Sequence, residues 1–179
     1  MSAAETSNRL GRINAAWAVL AEVSDPELPA LSLCDLGIVR EVREVRIDGD
    51  DASLLEVVLT PTYSGCPATE VIAQSVEQAL LDAGLGPVRV THKLAPAWTT
   101  DWISAEGRDK LRRYGIAPPS GQAAINNTVQ SIRLLAHRVP CPRCGSPRTE
   151  RLSAFGSTAC KALHRCLACL EPFEHFKPI

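Results

Sequence analysis

Aromatic side chains are scarce in this chain of 179 residues: three Trp, two Tyr and three Phe, 4% in all. With so few rings to stack on bases, and only a small basic excess, a nucleic-acid-binding role is disfavoured. No apolar run approaches the roughly 20 residues that span a bilayer. The N-terminus, MSAAETSNRLGRINAAWAVLAEV, lacks a basic stretch followed by a continuous apolar core, so no secretory leader, no membrane partner and a cytoplasmic location are expected. The seven cysteines are an odd number, which excludes a full disulfide framework, and a cytoplasmic protein keeps its thiols reduced. Also missing are a phosphate-cradling Gly-rich loop, a Ser/His/Asp constellation and a Glu-x-x-His pair for a di-iron bundle. The chain is therefore not expected to be an enzyme on its own.

What is present is unevenly distributed. The formal net charge is −1, yet residues 138–179 carry seven Lys/Arg against three Asp/Glu, and residues 1–137 carry twelve against seventeen. A mildly basic tail follows an acidic body. In the body, RINAAWAVLAEV places Ile13, Trp17, Leu20 and Val23 at helical spacing, which predicts a helix over 9–23. SDPELPAL breaks it. IVREVREVRID, with Val42, Val45 and Ile47, reads as an edge strand, DGDD as a turn, and SLLEVVLTPT as a buried strand pairing back as a hairpin. A second helix is predicted from Pro67, with Val71, Ile72, Val76, Ala79 and Leu80 on one face and Gly84 as its stop. PVRVTHKL gives a third strand through Val88, Val90 and His92. The expected fold is α+β, a small open sheet with helices packed on it, over residues 1–95. A short helix near TDWISAEGRDKLRRYG and a linker beginning at IAPPSGQAAINN fill 96–137, and a zinc-ribbon-like module occupies 138–179.

The strongest signal lies in that last module. Cys141/Cys144 and Cys166/Cys169 form two C-x-x-C pairs separated by twenty-one residues, close to the zinc-ribbon interval. Each pair turns two thiolates toward one point, and two pairs complete the tetrahedral four-sulfur shell that zinc favours. A module of about forty residues is too small for an adequate apolar core, so structural zinc would supply much of its folding energy. Such a closed shell leaves no position for catalysis. Cys160 is a spare thiol, read either as a small buried hydrophobe or as a functional thiol. His164 and His175 could replace a ligand, but nothing in the pattern requires it.

In the body, Cys66 precedes Pro67 at the expected helix start, where unpaired N–H groups lower a thiol's pKa. The position suits a metal ligand or nucleophile, and equally a buried cysteine capping the helix. Asp25, Glu27 and Asp35 surround Cys34 in SDPELPALSLCDLGIV. Three carboxylates there could hold a hard cation such as iron, or could simply cap and turn the chain.

These residues carry a resemblance. Asp25-Pro26-Glu27, Asp35-Leu36-Gly37 and Cys66-Pro67 together resemble the pattern of iron–sulfur assembly factors of the SufT type. The added LAPAWTTDWISAEGRDKLRRYGIAPP and the terminal cysteine module resemble one branch of that family, the PaaD proteins of aerobic phenylacetate degradation. The resemblance covers nearly the whole chain. It implies an accessory or maturation role toward a multicomponent phenylacetyl-CoA ring 1,2-epoxidase, delivering or inserting iron or an iron–sulfur cluster transiently. Cys66 would be the main iron or cluster contact, with Asp25, Glu27 and Asp35 as weaker candidates. The implied partners are the oxygenase or reductase components, with a homodimer left open. Trp98, Trp102 and Tyr114 are candidate docking anchors. The alternatives are a stoichiometric non-catalytic subunit, a thiol redox protein using Cys66 and Cys160, or a nucleic-acid-binding ribbon.

Overall fold

The computed structural model describes residues 3–46, 53–63, 68–119 and 139–179, and the chain divides into two units, Met1–Trp98 and Thr99–Ile179. In the first unit the N-terminal periodicity becomes helix α1, Ala3–Leu20. It starts and stops earlier than the expected 9–23, since the Ala-rich start favours helix and the chain leaves helical geometry before the two prolines. Ala16 and Leu20, one turn apart, are fully buried.

Strands β1 (Val39–Arg46) and β2 (Ser53–Leu59) pair antiparallel, with Val42 opposite Val57. The expected turn residues, and Ile47, lie outside the described residues. Helix α2 runs from Thr69 to Asp82 and strand β3 from Val88 to His92. β3 pairs parallel with β2, Val90 opposite Val57, so the sheet order is β1-β2-β3. Opposed residues share a sheet face, which groups Val42, Val57 and Val90. The central strand β2 is buried at every position after Ser53, as expected for an apolar β-branched run flanked on both sides. Helix α1 packs against β1 and α2, and α2 packs against β3. The α+β architecture is as expected, with two local corrections. Ile72, Val76 and Leu80 form the buried stripe of α2, whereas Val71 is 50% exposed, because the i, i+4, i+8 row alone faces the sheet. His92 at the end of β3 is exposed rather than inward.

In the second unit, a single 3-10 turn (Thr100–Trp102) leads to helix α3, Ala105–Tyr114. Ser104 caps α3 by accepting a hydrogen bond from Gly107 N at 2.8 Å. Strands β4 (Ile116–Ala117), β5 (Thr149–Ser153), β6 (Lys161–Cys166) and β7 (Pro172–Phe176) form a second sheet in the order β4-β7-β6-β5. The expected linker therefore opens with a strand: Ile116 and Ala117 are buried and pair parallel with β7. Their apolar side chains complete the sheet edge. The rest of that segment, 120–138, lies outside the described residues. Ala117, Val139, Cys141, Cys166 and Phe173 form one buried cluster.

One side chain ties the first unit together. Arg12, on α1, reaches Glu44 Oε1 of β1 at 2.8 Å and Ser53 Oγ of β2 at 3.2 Å. Its other terminal nitrogen donates to the carbonyls of Leu85 and Gly86, both at 2.9 Å, just before β3. Ser53 also donates to Glu44 at 2.6 Å, and these bonds hold the Glu44 carboxyl below the usual range, the Ser53 bond most strongly. A fork with fixed geometry can bridge three elements at once. Replacing Arg12 with Ala should cost about 2 kcal/mol, typical of hydrogen bonds to charged groups; Arg12→Lys should recover only part. Urea unfolding of the two variants checks this.

Candidate metal centre

The four cysteines of the second unit are brought together from two knuckles. Cys141 and Cys144 precede β5, and Cys166 and Cys169 span the turn between β6 and β7. Sγ of Cys141 lies 3.8 Å from Sγ of Cys169, and Sγ of Cys144 lies 3.6 Å from Sγ of Cys166. All four sulfurs fall within 4.8 Å of one another. A disulfide would bring two sulfurs to about 2.05 Å. A tetrahedral ion with metal–sulfur bonds of about 2.3 Å sets its sulfurs about 3.8 Å apart. The spacing is that of a coordination shell, and the sulfurs fit a tetrahedral metal ion of zinc's size.

The local chain explains the convergence. In the first knuckle Gly145 N donates to Cys141 O at 2.9 Å and Cys141 N to Ser146 O at 3.0 Å, closing a tight loop through Gly145 at φ 72°. In the second, Ala168 N and Cys169 N donate to Cys166 Sγ at 3.3 and 3.4 Å. Led by the bond from Cys169, these pull the Cys166 thiol down to about 6. Cys169 goes the other way, to about 12: its own bond with Glu171 favours the thiolate, but desolvation and the neighbouring sulfurs outweigh it. Four adjacent thiolates repel, and a bound cation removes that penalty. The residue after the second knuckle is Leu170, which adopts φ 65° although it is not glycine and is 70% exposed. CPRCG and CLACL are thus the same turn with different residues at the left-handed position.

The other expected site residues fare differently. Asp25 and Asp35 are buried in the loop between α1 and β1. Asp25 Oδ1 accepts from Glu27 N and Leu28 N, both at 2.9 Å. Asp35 Oδ2 accepts from Ser32 N at 3.0 Å, while Ser32 Oγ accepts from Asp35 N at 3.1 Å, the reciprocal pattern of a capping box. Gly37, at φ 67°, then turns the chain so that Ile38 N reaches Leu33 O at 3.0 Å. Glu27 is exposed. Among the described residues, no group of three metal-binding side chains forms in this loop; the four cysteines are the only such group. Cys66 lies outside the described residues. Cys34 is half-buried, and burial together with the Asp35 charge pushes its thiol up to about 11, away from thiolate character.

Cys160 is buried, 3.0 Å from Thr158 Oγ1. His164 and His175 are not members of the sulfur group; their ring centroids lie 5.4 Å from each other. Burial lowers both pKa values, His175 to about 4, so both are neutral near pH 7. Trp98 is 3% exposed, its indole N–H donating to Leu36 O at 2.9 Å. That burial removes it as a docking anchor and makes it a core side chain of the first unit. Tyr114, 59% exposed, keeps the expected accessibility.

The reciprocal Ser32–Asp35 bonds were legible in advance, because Ser-x-x-Asp is a capping-box spacing. Leu170's conformation carried no such signal beyond its equivalence to Gly145. Two substitutions should move stability in opposite directions. A Cβ at Gly145 meets nothing within 4 Å, so Gly145→Ala should cost only the left-handed backbone penalty, about 1–2 kcal/mol. Leu170→Gly should relieve the same strain, for a net gain of up to about 1 kcal/mol after glycine's entropy cost. Metal affinity measured by chelator competition reads both, weaker for the first and tighter for the second.

Known proteins resemble this chain in both units. Residues 13–91 match the family described as iron-sulfur cluster assembly protein, and residues 126–177 match the PaaD zinc beta ribbon domain. An Escherichia coli K12 protein, named as one subunit of a "Putative 1,2-phenylacetyl-CoA epoxidase", is 44% identical over 94% of this chain and 94% of its own. The "Fe-S protein maturation auxiliary factor YitW" of Bacillus subtilis is 35% identical over 53% of this chain and 80% of its own length. A domain of unknown function, DUF59, from Bacillus anthracis has the same fold over 59% of this chain and 96% of its own, with a TM-score of 0.52 at 24% identity. An assembly-type α+β unit followed by a four-cysteine ribbon, with identity running the length of the Escherichia coli protein, places the chain in the PaaD family.

Proposed function

We propose that this protein is an accessory maturation factor for a phenylacetyl-CoA ring 1,2-epoxidase, one that delivers or inserts iron or an iron–sulfur cluster into an oxygenase or reductase component. The observation that carries the reading is the pairing, in one chain, of a match to the iron–sulfur cluster assembly family with the PaaD ribbon, together with 44% identity over 94% of the epoxidase relative. Zinc is the metal we assign to Cys141, Cys144, Cys166 and Cys169. Four protein sulfurs fill a tetrahedral shell, so the ion would hold the ribbon in shape and leave no open position for substrate. The cargo would instead be handled by the first unit. There Cys66 is the main candidate contact, with Asp25, Glu27 and Asp35 secondary to it. The hydrogen bonds of Asp25 and Asp35 within their loop favour a shape-keeping role for those two. We expect the protein to act in the cytoplasm and not to oxidise substrate itself.

The second reading is a stoichiometric, non-catalytic subunit. It is favoured by the name of the Escherichia coli relative, which counts that protein among the epoxidase's subunits. Reconstitution from separately purified components distinguishes the two. On the maturation reading, oxygenase made in cells lacking this protein is under-metallated and inactive, and oxygenase matured beside it needs no further addition. Cys66→Ala should give the same inactive product while keeping one zinc per chain. Oxygenase that is fully metallated and active without the protein, yet accelerates in proportion to added protein, contradicts maturation and establishes the stoichiometric role.

A further inference from the structure

Three arginines and a tyrosine converge on one side of the second unit. Arg112, Arg113, Tyr114 and Gly115, at the end of α3, face Pro142 and Arg143 of the first cysteine knuckle across an open groove of about 500 Å³. Arg112 is ion-paired with Asp109, and cations in a helix's last turn offset its carbonyl end. The ion pair accounts for Arg112, and the helix-end role is shared by Arg113 in the same last turn. It does not account for Arg143, which comes from a different element. Neither Arg113 nor Arg143 has an ion pair among the described residues. Residues 99–119 and 139–179 together carry ten Lys/Arg against six Asp/Glu, so the groove is the concave part of a basic unit.

We propose that this groove is a docking site for a carboxylate-bearing segment of a partner protein, with Arg113 and Arg143 as the anion contacts and Tyr114 as the apolar anchor. Guanidinium forks match carboxylates in pairs, and Arg and Tyr are enriched where interfaces concentrate their binding energy. A phosphate-bearing small molecule fits less well. The main-chain N–H of Gly115 already donates to Arg112 O and Leu111 O, so it is not free to cradle phosphate oxygens. Residues 1–98 hold fourteen Asp/Glu against seven Lys/Arg; Glu44 and Glu56 are committed to Arg12 and Arg43 within their own unit, and Asp25 and Asp35 to their loop, so a second copy could reach the groove only through the remaining acidic side chains, an outcome the experiment below separates. The partner's identity as an epoxidase component rests on the function proposed above.

The experiment measures binding of the full-length, metal-loaded chain to each purified oxygenase and reductase component at two salt concentrations. Arg113→Glu with Arg143→Glu should weaken binding at least tenfold and flatten its salt dependence, with metal content and thermal unfolding unchanged. Arg113→Lys with Arg143→Lys, which keeps charge but loses the fork, should fall between. The same charge change on β5 and just before it, Arg148→Glu with Arg151→Glu, should have little effect. Equal binding by the groove variant, or equal loss in the Arg148/Arg151 control, overturns the groove while leaving the maturation reading intact. A wild-type chain that binds no component overturns the partner assignment and the groove with it. Saturable binding of inorganic pyrophosphate lost in the groove variant, or self-association lost in it, with partner binding unaltered, replaces the proposed occupant.

Discussion

Four thiols held within 4.8 Å of one another cannot all ionise without a cation among them, and the second unit is built around that constraint. Its sheet is short: β4 has two residues, β5 and β7 five each, and β6 six. Such strands bury little apolar surface, and two of the five residues in the buried cluster are the ligand-type cysteines Cys141 and Cys166. The sulfurs therefore serve as core and as metal shell together. Everything attached to that core inherits its position from the knuckles, including the β4 edge carrying Ile116 and Ala117 and the pairing of β5 with β6. Folding and metal binding are coupled in such a module, and the left-handed residues that close the two knuckles, Gly145 and Leu170, are the backbone cost of bringing the pairs to one point.

The first unit is organised by different means. Its loop between α1 and β1 buries Leu28, Leu31, Leu33 and Leu36, so its polar groups need partners within the loop itself. Asp25 and Asp35 supply them by accepting main-chain N–H bonds. Where burial pushes the neighbouring Cys34 thiol upward, the chemistry is that of a packed loop. On the function proposed above, this loop sets the shape and a separate thiol, Cys66, is the candidate contact for the cargo. On that reading the two halves of the chain would use cysteine in opposite ways: the ribbon commits four to one shell, and the proposed carrier depends on one that stays reactive.

How much of this was legible in the sequence depends on the range of the interaction that decides each feature. The C-x-x-C pairs are local turns with one geometry, so the cluster could be read directly from their spacing. The helices and strands of the first unit followed from periodicity, and the errors fell at margins. Val71 belongs to the apolar set of α2 but not to the row that meets the sheet, which only the packing direction decides. Ile116 and Ala117 looked like the start of a linker because two residues carry no period; their partner is β7, far along the chain. Trp98 had the composition of an anchor, but a single indole N–H bond to Leu36 O makes it a core residue. Arg12 gave no signal at all, since its four partners lie between 32 and 74 residues away.

The most direct test of the central claim is cobalt(II) substitution of the metal-free chain, followed by absorption spectroscopy and amide NMR in one titration. One equivalent should produce the intense sulfur-to-metal band of a tetrahedral four-thiolate site and, at the same equivalence point, disperse the resonances of β5, β6 and β7. A weak octahedral spectrum, or a metal-free chain whose ribbon resonances are already dispersed and do not change on titration, would contradict the account.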